Sequence, residues 1–200
     1  MDKSELKKGR VKQKLQTRTE ILEAAKILMQ EEKKITLEDI AKKAKVSRAT
    51  MYRYYSNIDI LFTEASLDVR HKAIEELLKE VQDLNFADRI LYIQNHYNQS
   101  ALNNETTFRR YLSAVLSESI LSKEQIRGAR RVKVLEKVLE PFRNKFSPDN
   151  YKNLINISSV LMGIDPIIVC KDVCSLNSEE TNNTLKWALE LILNSIPFED

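Results

Sequence analysis

The chain has 200 residues, 42% of them hydrophobic and 30% charged, with three Gly, four Pro, two Cys and a formal net charge of +3. That length suits one or two small domains with a real core, and so few Gly and Pro beside abundant Leu, Ile, Lys, Glu and Ala exclude a turn-rich all-β fold and favour helices. No run approaches a membrane-spanning length of about 18 apolar residues, the charged start has no apolar leader core, and two Cys make no disulfide framework, so the expected setting is a reducing cytoplasm.

The charge is unevenly spread. Residues 1–60 hold 15 Lys/Arg against 9 Asp/Glu, a net of +6, and residues 61–200 hold 17 against 20, a net of −3. A basic head on a mildly acidic body points to a polyanionic partner for the head alone. At the start, Lys3, Lys7, Lys8, Arg10, Lys12, Lys14 and Arg18 face only Asp2 and Glu5. Residues 1–17 are therefore expected to be a flexible basic tail, able to follow a DNA backbone or enter its minor groove, or else only to keep the chain in solution.

Thr17 or Thr19 is the expected cap of a first helix near 18–32, striped by Ile21, Leu22, Ala25, Leu28 and Met29. Thr36 then caps a second helix, with Asp39 three places on as an acidic capping-box variant. Counted from Leu37, apolar residues fall at the first, fourth, eighth, tenth and fifteenth places: Leu37, Ile40, Ala44, Val46 and Met51. Small Ala41 stands at the fifth place, where two steeply crossing helices leave no room for more. Ser47 can cap a third helix that runs to Tyr54. This is the pattern of a helix-turn-helix. Its second helix is crowded with hydrogen-bond donors, namely Arg48, Thr50, Tyr52, Arg53 and Tyr54, which suit phosphates and base edges better than a core. Tyr55 is expected in the core beneath it.

Asn57 can cap a long fourth helix near 57–83, a rod leading from a head at 18–56 into a body at 57–200. Five further helices are predicted near 87–102, 105–119, 122–146, 148–174 and 178–196, with breaks at Asn103-Asn104, Ser122, Ser147-Pro148 and Leu176 to Ser178. Pro141 and Pro166 fall inside helical patterns and should kink or interrupt them. Leu154, Ile157, Leu161 and Met162 stripe one of the last two helices. Leu185, Ala188, Leu189, Ile192 and Ile196, with Trp187 beside them, stripe the other. These stripes are the expected homodimer surface, because two twofold-related heads reach successive major grooves about 34–36 Å apart and one short helix reads too few base pairs to be selective.

Three blocks in this order resemble the tetracycline-repressor (TetR) family of bacterial transcription regulators: TRTEILEAAKILMQEE at 17–32, ITLEDIAKKAKVS at 35–47, and RATMYRYYSNIDILFTEA at 48–65. The resemblance covers about a quarter of the chain; beyond it only length and helical character agree. It implies an all-α protein of about nine helices, with a three-helix DNA-binding head and a helical body that dimerises and binds a small effector. Two positions depart from the family. Lys45 stands where the family usually has Gly in the turn, and Ile58 where it often has a phosphate-contacting Lys.

By position, the resemblance places Thr36, Ser47, Arg48, Ala49, Thr50, Tyr52, Arg53 and Tyr54 at double-stranded DNA. Thr36, Ser47, Thr50 and Tyr54 suit phosphates. Arg48, Ala49 and Arg53 suit base edges, since Arg grips guanine O6 and N7 and Ala meets a thymine methyl; Tyr52 suits either. In the body, Tyr92, His96 and Tyr97 precede Phe108, Arg110 and Tyr111 on the next helix, and Asp165 precedes a Pro in an apolar stretch. Of these, Tyr92, His96, Phe108, Tyr111 and Asp165 are the candidates for walls of a pocket taking a mostly apolar effector, although an aromatic at helical spacing is more often core.

Cys170 and Cys174, four apart, could share a helix face and serve as a thiol or metal sensor, against the plainer reading of buried helix thiols. No phosphate loop, nucleophile elbow or His-rich metal motif occurs, so no enzyme, metal or cofactor is expected. The reading is a sequence-specific regulator, a repressor released from a palindromic operator by its effector. Its rivals are an architectural or cell-division DNA-binding protein on the same fold and the thiol-based sensor.

Overall fold

A computed structural model describes residues 3–29, 35–69, 72–121 and 129–197. Among these, every regular element is helical. The elements are α1 (Lys3–Leu28), α2 (Leu37–Lys43), α3 (Arg48–Tyr54), α4 (Ile58–Val69), α5 (Ile74–Val81), α6 (Phe86–Asn103), α7 (Glu105–Leu121), α8 (Arg130–Leu139), α9 (Pro148–Val160), α10 (Ile164–Ile168) and α11 (Ser178–Ser195). A 3₁₀ segment (Glu140–Lys145) follows α8, and a π turn (Val169–Val173) follows α10. The chain divides into two compact units, one of α1–α4 with α7 from Arg109 onward, the other of α5, α6 and α8–α11 with the start of α7.

In the first unit, α1 packs on α2 and α4, and α2 on α3. Ile21, Leu22, Ala25 and Leu28 of α1 are buried, as are Leu37, Ile40, Ala41, Met51, Ile60, Leu61 and Ala65. The predicted stripes are thus largely the core stripes, except that Ala44 and Val46 are half-buried and Met29 is 38% exposed. Asn57 does cap α4, accepting from the Asp59 N–H at 2.7 Å.

The second unit is built around α6, which packs on α5, α8, α10 and α11. Its buried face reads Arg89, Ile90, Ile93, Gln94, Tyr97, Asn98 and Ala101, the recurrence expected of a helix with neighbours on one side. The polar members of that face bond to backbone groups of neighbouring segments. Arg89 donates to the carbonyls of Leu84 (2.9 Å), Gln82 (2.6 Å) and Val138 (3.0 Å), while its guanidinium lies 4.9 Å from the centre of the Phe142 ring. Gln94 donates to the carbonyls of Leu161 and Leu185, both at 2.9 Å, and Asn98 accepts from the Gly163 N–H at 2.8 Å. Arg131 of α8 donates to the Met162 carbonyl and pairs with Asp165 at 3.0 Å. Three consecutive backbone groups at the end of α9 are therefore met by side chains from two other helices, as buried polar groups require.

Three sequence expectations change. The first helix begins at Lys3, so neither Thr17 nor Thr19 caps it. The predicted rod at 57–83 is two helices, α4 ending at Val69 and α5 starting at Ile74 after an extended Ala73. The predicted 148–174 helix breaks at Leu161–Gly163, where Gly163 takes φ +82°, and not at Pro166. Pro166 lies in the first turn of α10, where a missing N–H leaves no intrahelical bond unmade. Pro141 does mark a change, since α8 gives way there to the 3₁₀ segment. The expected end of the first helix at 32 and the break at Ser122 lie outside the described residues.

Candidate nucleic-acid interface

The α2–α3 pair is shaped by its ends. The Thr36 hydroxyl accepts from the Asp39 N–H (3.2 Å) and donates to Asp39 Oδ2 (2.7 Å), and that carboxylate also accepts the Thr36 N–H (2.9 Å). The capping box is complete, and the Thr36 hydroxyl proton is committed to it. At the other end of α2 the Lys45 N–H bonds the Lys42 carbonyl (3.2 Å) and the Val46 N–H the Ala41 carbonyl (3.0 Å), the pair of bonds of a Schellman ending. That ending needs a left-handed residue, and Lys45 takes it at φ +56°. The departure from Gly changes the residue, not the turn.

Ser47 begins α3. Its Oγ accepts from the Thr50 N–H (3.0 Å) and donates to Thr50 Oγ1 (2.9 Å). The Ser47 proton is spent, while the Thr50 hydroxyl keeps its own for an outside acceptor. Met51 is fully buried and Tyr55, just past the helix, is 2% exposed, so α3 is pinned by one face. Arg48, Ala49, Tyr52 and Arg53 stand on its exposed side, and Tyr54 is half-buried with the Arg53 guanidinium 5.6 Å from its ring centre.

The exposed side is not purely cationic. Glu38 of α2 accepts from the Tyr52 hydroxyl at 2.9 Å and pairs with Arg48 Nε at 3.2 Å. A backbone N–H of its own residue, then Tyr52 and Arg48, hold the Glu38 carboxyl below its ordinary range. The Arg48 guanidinium also lies 5.5 Å from the Tyr52 ring centre. Sequence reasoning did not single out Glu38. Its signal was available only as an acidic residue ten places before Arg48, too distant to read without the helix crossing.

Behind α3, Arg18 is buried at 6% exposure, although its sequence neighbours had grouped it with the tail. It donates to Glu64 from Nε (3.0 Å) and from Nη2, and stacks 4.9 Å from the Tyr55 ring centre. The Tyr55 hydroxyl donates to the same Glu64 carboxylate at 3.0 Å. Burial is the largest influence and opposes the charge on Arg18, but Glu64, Tyr55 and Tyr111 together outweigh it and leave the guanidinium held more firmly protonated than usual. Burial, then Glu64, push the Tyr55 phenol well up.

The five effector candidates fall in both units. Tyr92 is half-buried and donates to Glu80 at 2.8 Å, which raises its phenol, with burial adding to the effect. His96 is half-buried, and burial followed by the Lys72 charge pushes its imidazole down. Phe108 is half-buried on α7 in the second unit, whereas Tyr111 belongs to the first, where its field reaches Arg18 and Tyr55. Asp165 is engaged by Arg131. A groove of about 510 Å³ opens instead between α9 and α11, lined by Asn150, Asn153, Leu154, Ile157, Leu191, Ile192, Ser195 and Ile196, and none of the five candidates borders it. Around it Ile157, Val160, Trp187 and Leu191 are exposed apolar residues on the same two helices.

Cys170 is buried and Cys174 exposed, so the two thiols share no open face; burial, then Cys174, raise the Cys170 thiol. Among the described residues no group of three or more His, Cys, Asp or Glu could hold a metal ion, and no single helix is long and apolar enough to cross a membrane.

Residues 21–65, which run from α1 through most of α4, match the family model described as bacterial regulatory proteins, tetR family. No curated protein and no solved structure matches the chain.

Proposed function

We propose that this chain, which its residues 21–65 make a DNA-binding transcriptional regulator of the tetR family, is a homodimeric repressor that a small, mostly apolar effector releases from a palindromic operator. The observation that carries the DNA-facing part is the set of exposed residues on α3. Arg48, Ala49, Tyr52 and Arg53 stand free of the core on a helix held by Met51 and Tyr55. A pinned helix with a donor-rich open side has the form needed to enter a major groove.

In this reading Arg48, Ala49 and Arg53 meet base edges, and the Thr50 and Tyr54 hydroxyls meet phosphates. Thr36 and Ser47 act through the helix starts they cap, because both hydroxyl protons are already used within the head. Dimerisation runs through α9 and α11, supported by the apolar groove and its exposed surround. Effector release is a population shift; moving a two-state equilibrium from 99:1 to 1:99 needs about 5.5 kcal/mol of differential affinity, within reach of one buried ligand per subunit. The buried and raised Cys170 thiol favours a packing role over sensing.

Selection by the full-length protein from a library of random-sequence duplexes, read by sequencing, tests the proposal. The expected result is enrichment of a palindrome with half-sites about one helical turn apart. Arg48→Ala should relax the preference at one position of each half-site and cost about 1–3 kcal/mol on the selected duplex. Enrichment of no sequence would refute the repressor reading and turn attention to an architectural role. Equal loss on every duplex would refute the base-edge role of Arg48.

A further inference from the structure

A carboxylate on a surface that meets phosphates opposes binding, so Glu38 needs a reason to stand beside α3. Its Oε1 takes the Tyr52 hydroxyl at 2.9 Å and faces Arg48 Nε at 3.2 Å, while the Arg48 guanidinium lies 5.5 Å from the Tyr52 ring centre. These three contacts close a triangle. Two of its corners are one turn apart on α3 and the third is on α2. The triangle holds no core together, because the Arg48 side chain is 74% exposed and that of Glu38 45%. What it fixes is the direction in which Arg48 points. The Glu38 contact is at Nε, the inner nitrogen of the guanidinium, and Nη1 and Nη2 are the outer nitrogens of the fork.

We propose that Glu38 is a specificity-determining residue, holding Arg48 through Nε so that its outer edge can grip a guanine but cannot swing to a phosphate. On a matching duplex, Nη1 and Nη2 meet guanine O6 and N7 and the Glu38 contact is kept. On a mismatched duplex Arg48 reaches a phosphate only by leaving Glu38, and an unpaired carboxylate is then brought to a polyanion. The pair thus works against wrong sequences more than for the right one. The inference rests on the reading of α3 as the helix that meets bases.

The full-length wild type, Glu38→Gln, Arg48→Ala and the double variant are each titrated against the duplex selected by the wild type and against a scrambled duplex, across a salt series. Gln keeps an acceptor for Tyr52 and removes the charge facing Arg48. Glu38→Gln is expected to bind the scrambled duplex about two- to fivefold tighter, the range set by an exposed ion pair, and to narrow the preference for the selected duplex by a similar factor. In the Arg48→Ala background the same substitution should leave the preference unchanged. Equal tightening on both duplexes, or an equal narrowing without Arg48, would make Glu38 a plain repulsive charge and overturn the inference. A wild type that selects no sequence overturns the underlying reading as well, and is recognised before any variant is measured.

Discussion

Arg18, Tyr55 and Glu64 bring one cation, one phenol and one carboxylate together behind α3, with the Arg18 and Glu64 side chains 7% and 13% exposed. A buried pair of this kind contributes little over a well-packed apolar replacement, but removing one partner strands the other. Glu64→Ala should destabilise the protein by about 3–5 kcal/mol, measured by urea unfolding. Arg18→Met combined with Glu64→Met should lose clearly less than the two single substitutions summed. An additive double variant would show that the charges do not depend on each other. This role was not legible in the sequence. Arg18 lies in a run of cations, and its partner is 46 residues away. The exposed donors of α3 were legible, because helical spacing separates them from Met51 and Tyr55 without reference to any other segment.

At the scale of an element, the turn between α2 and α3 carries a definite strain. Lys45 holds φ +56° in a Schellman ending whose bonds are both made. A non-Gly residue there costs about 1–2 kcal/mol, and a branched Cβ more. Lys45→Val should therefore lower the melting temperature. Lys45→Gly should be neutral or slightly stabilising, because the relief of strain is partly offset by about 0.4–1 kcal/mol of added freedom in the unfolded chain. Paired thermal melts decide this, and a Val variant as stable as the Gly variant would refute the strained turn. The turn itself was legible from the apolar spacing on either side of it. Other ends were not. The helix predicted over 148–174 breaks at Gly163, where Gln94, Asn98 and Arg131 meet the backbone from other helices, while the local signal pointed to Pro166. Likewise, alternating charge and apolar residues gave no mark of the break before Ile74. Periodicity reports a helix well, and reports its end only where the end is made by nearby residues.

For the molecule as a whole, the proposed dimer rests on α9 and α11. Ile157 (36%), Val160 (61%), Trp187 (61%) and Leu191 (48%) leave apolar side chains open there. Leu191→Glu should give a monomer in analytical ultracentrifugation and weaken operator binding, because each head then binds without the other. A dimer of unchanged affinity would place the interface elsewhere. The stripes on these helices were legible in the sequence, but which members face outward was not: Leu185 and Leu189 are buried while Trp187 is open. A site for the proposed effector was the least legible. A pocket depends on which side chains converge from distant segments, and aromatic spacing along one helix carries no such information.

The backbone of Leu161, Met162 and Gly163 is tied by Gln94, Arg131 and Asn98 together. Helix α9 cannot slide along its axis without surrendering all three bonds. Its outer side chains are thus mounted on a frame fixed from within. Under the proposed dimerisation, residues bordering the groove can change while the frame stays put, so the choice of partner can shift without any change of fold.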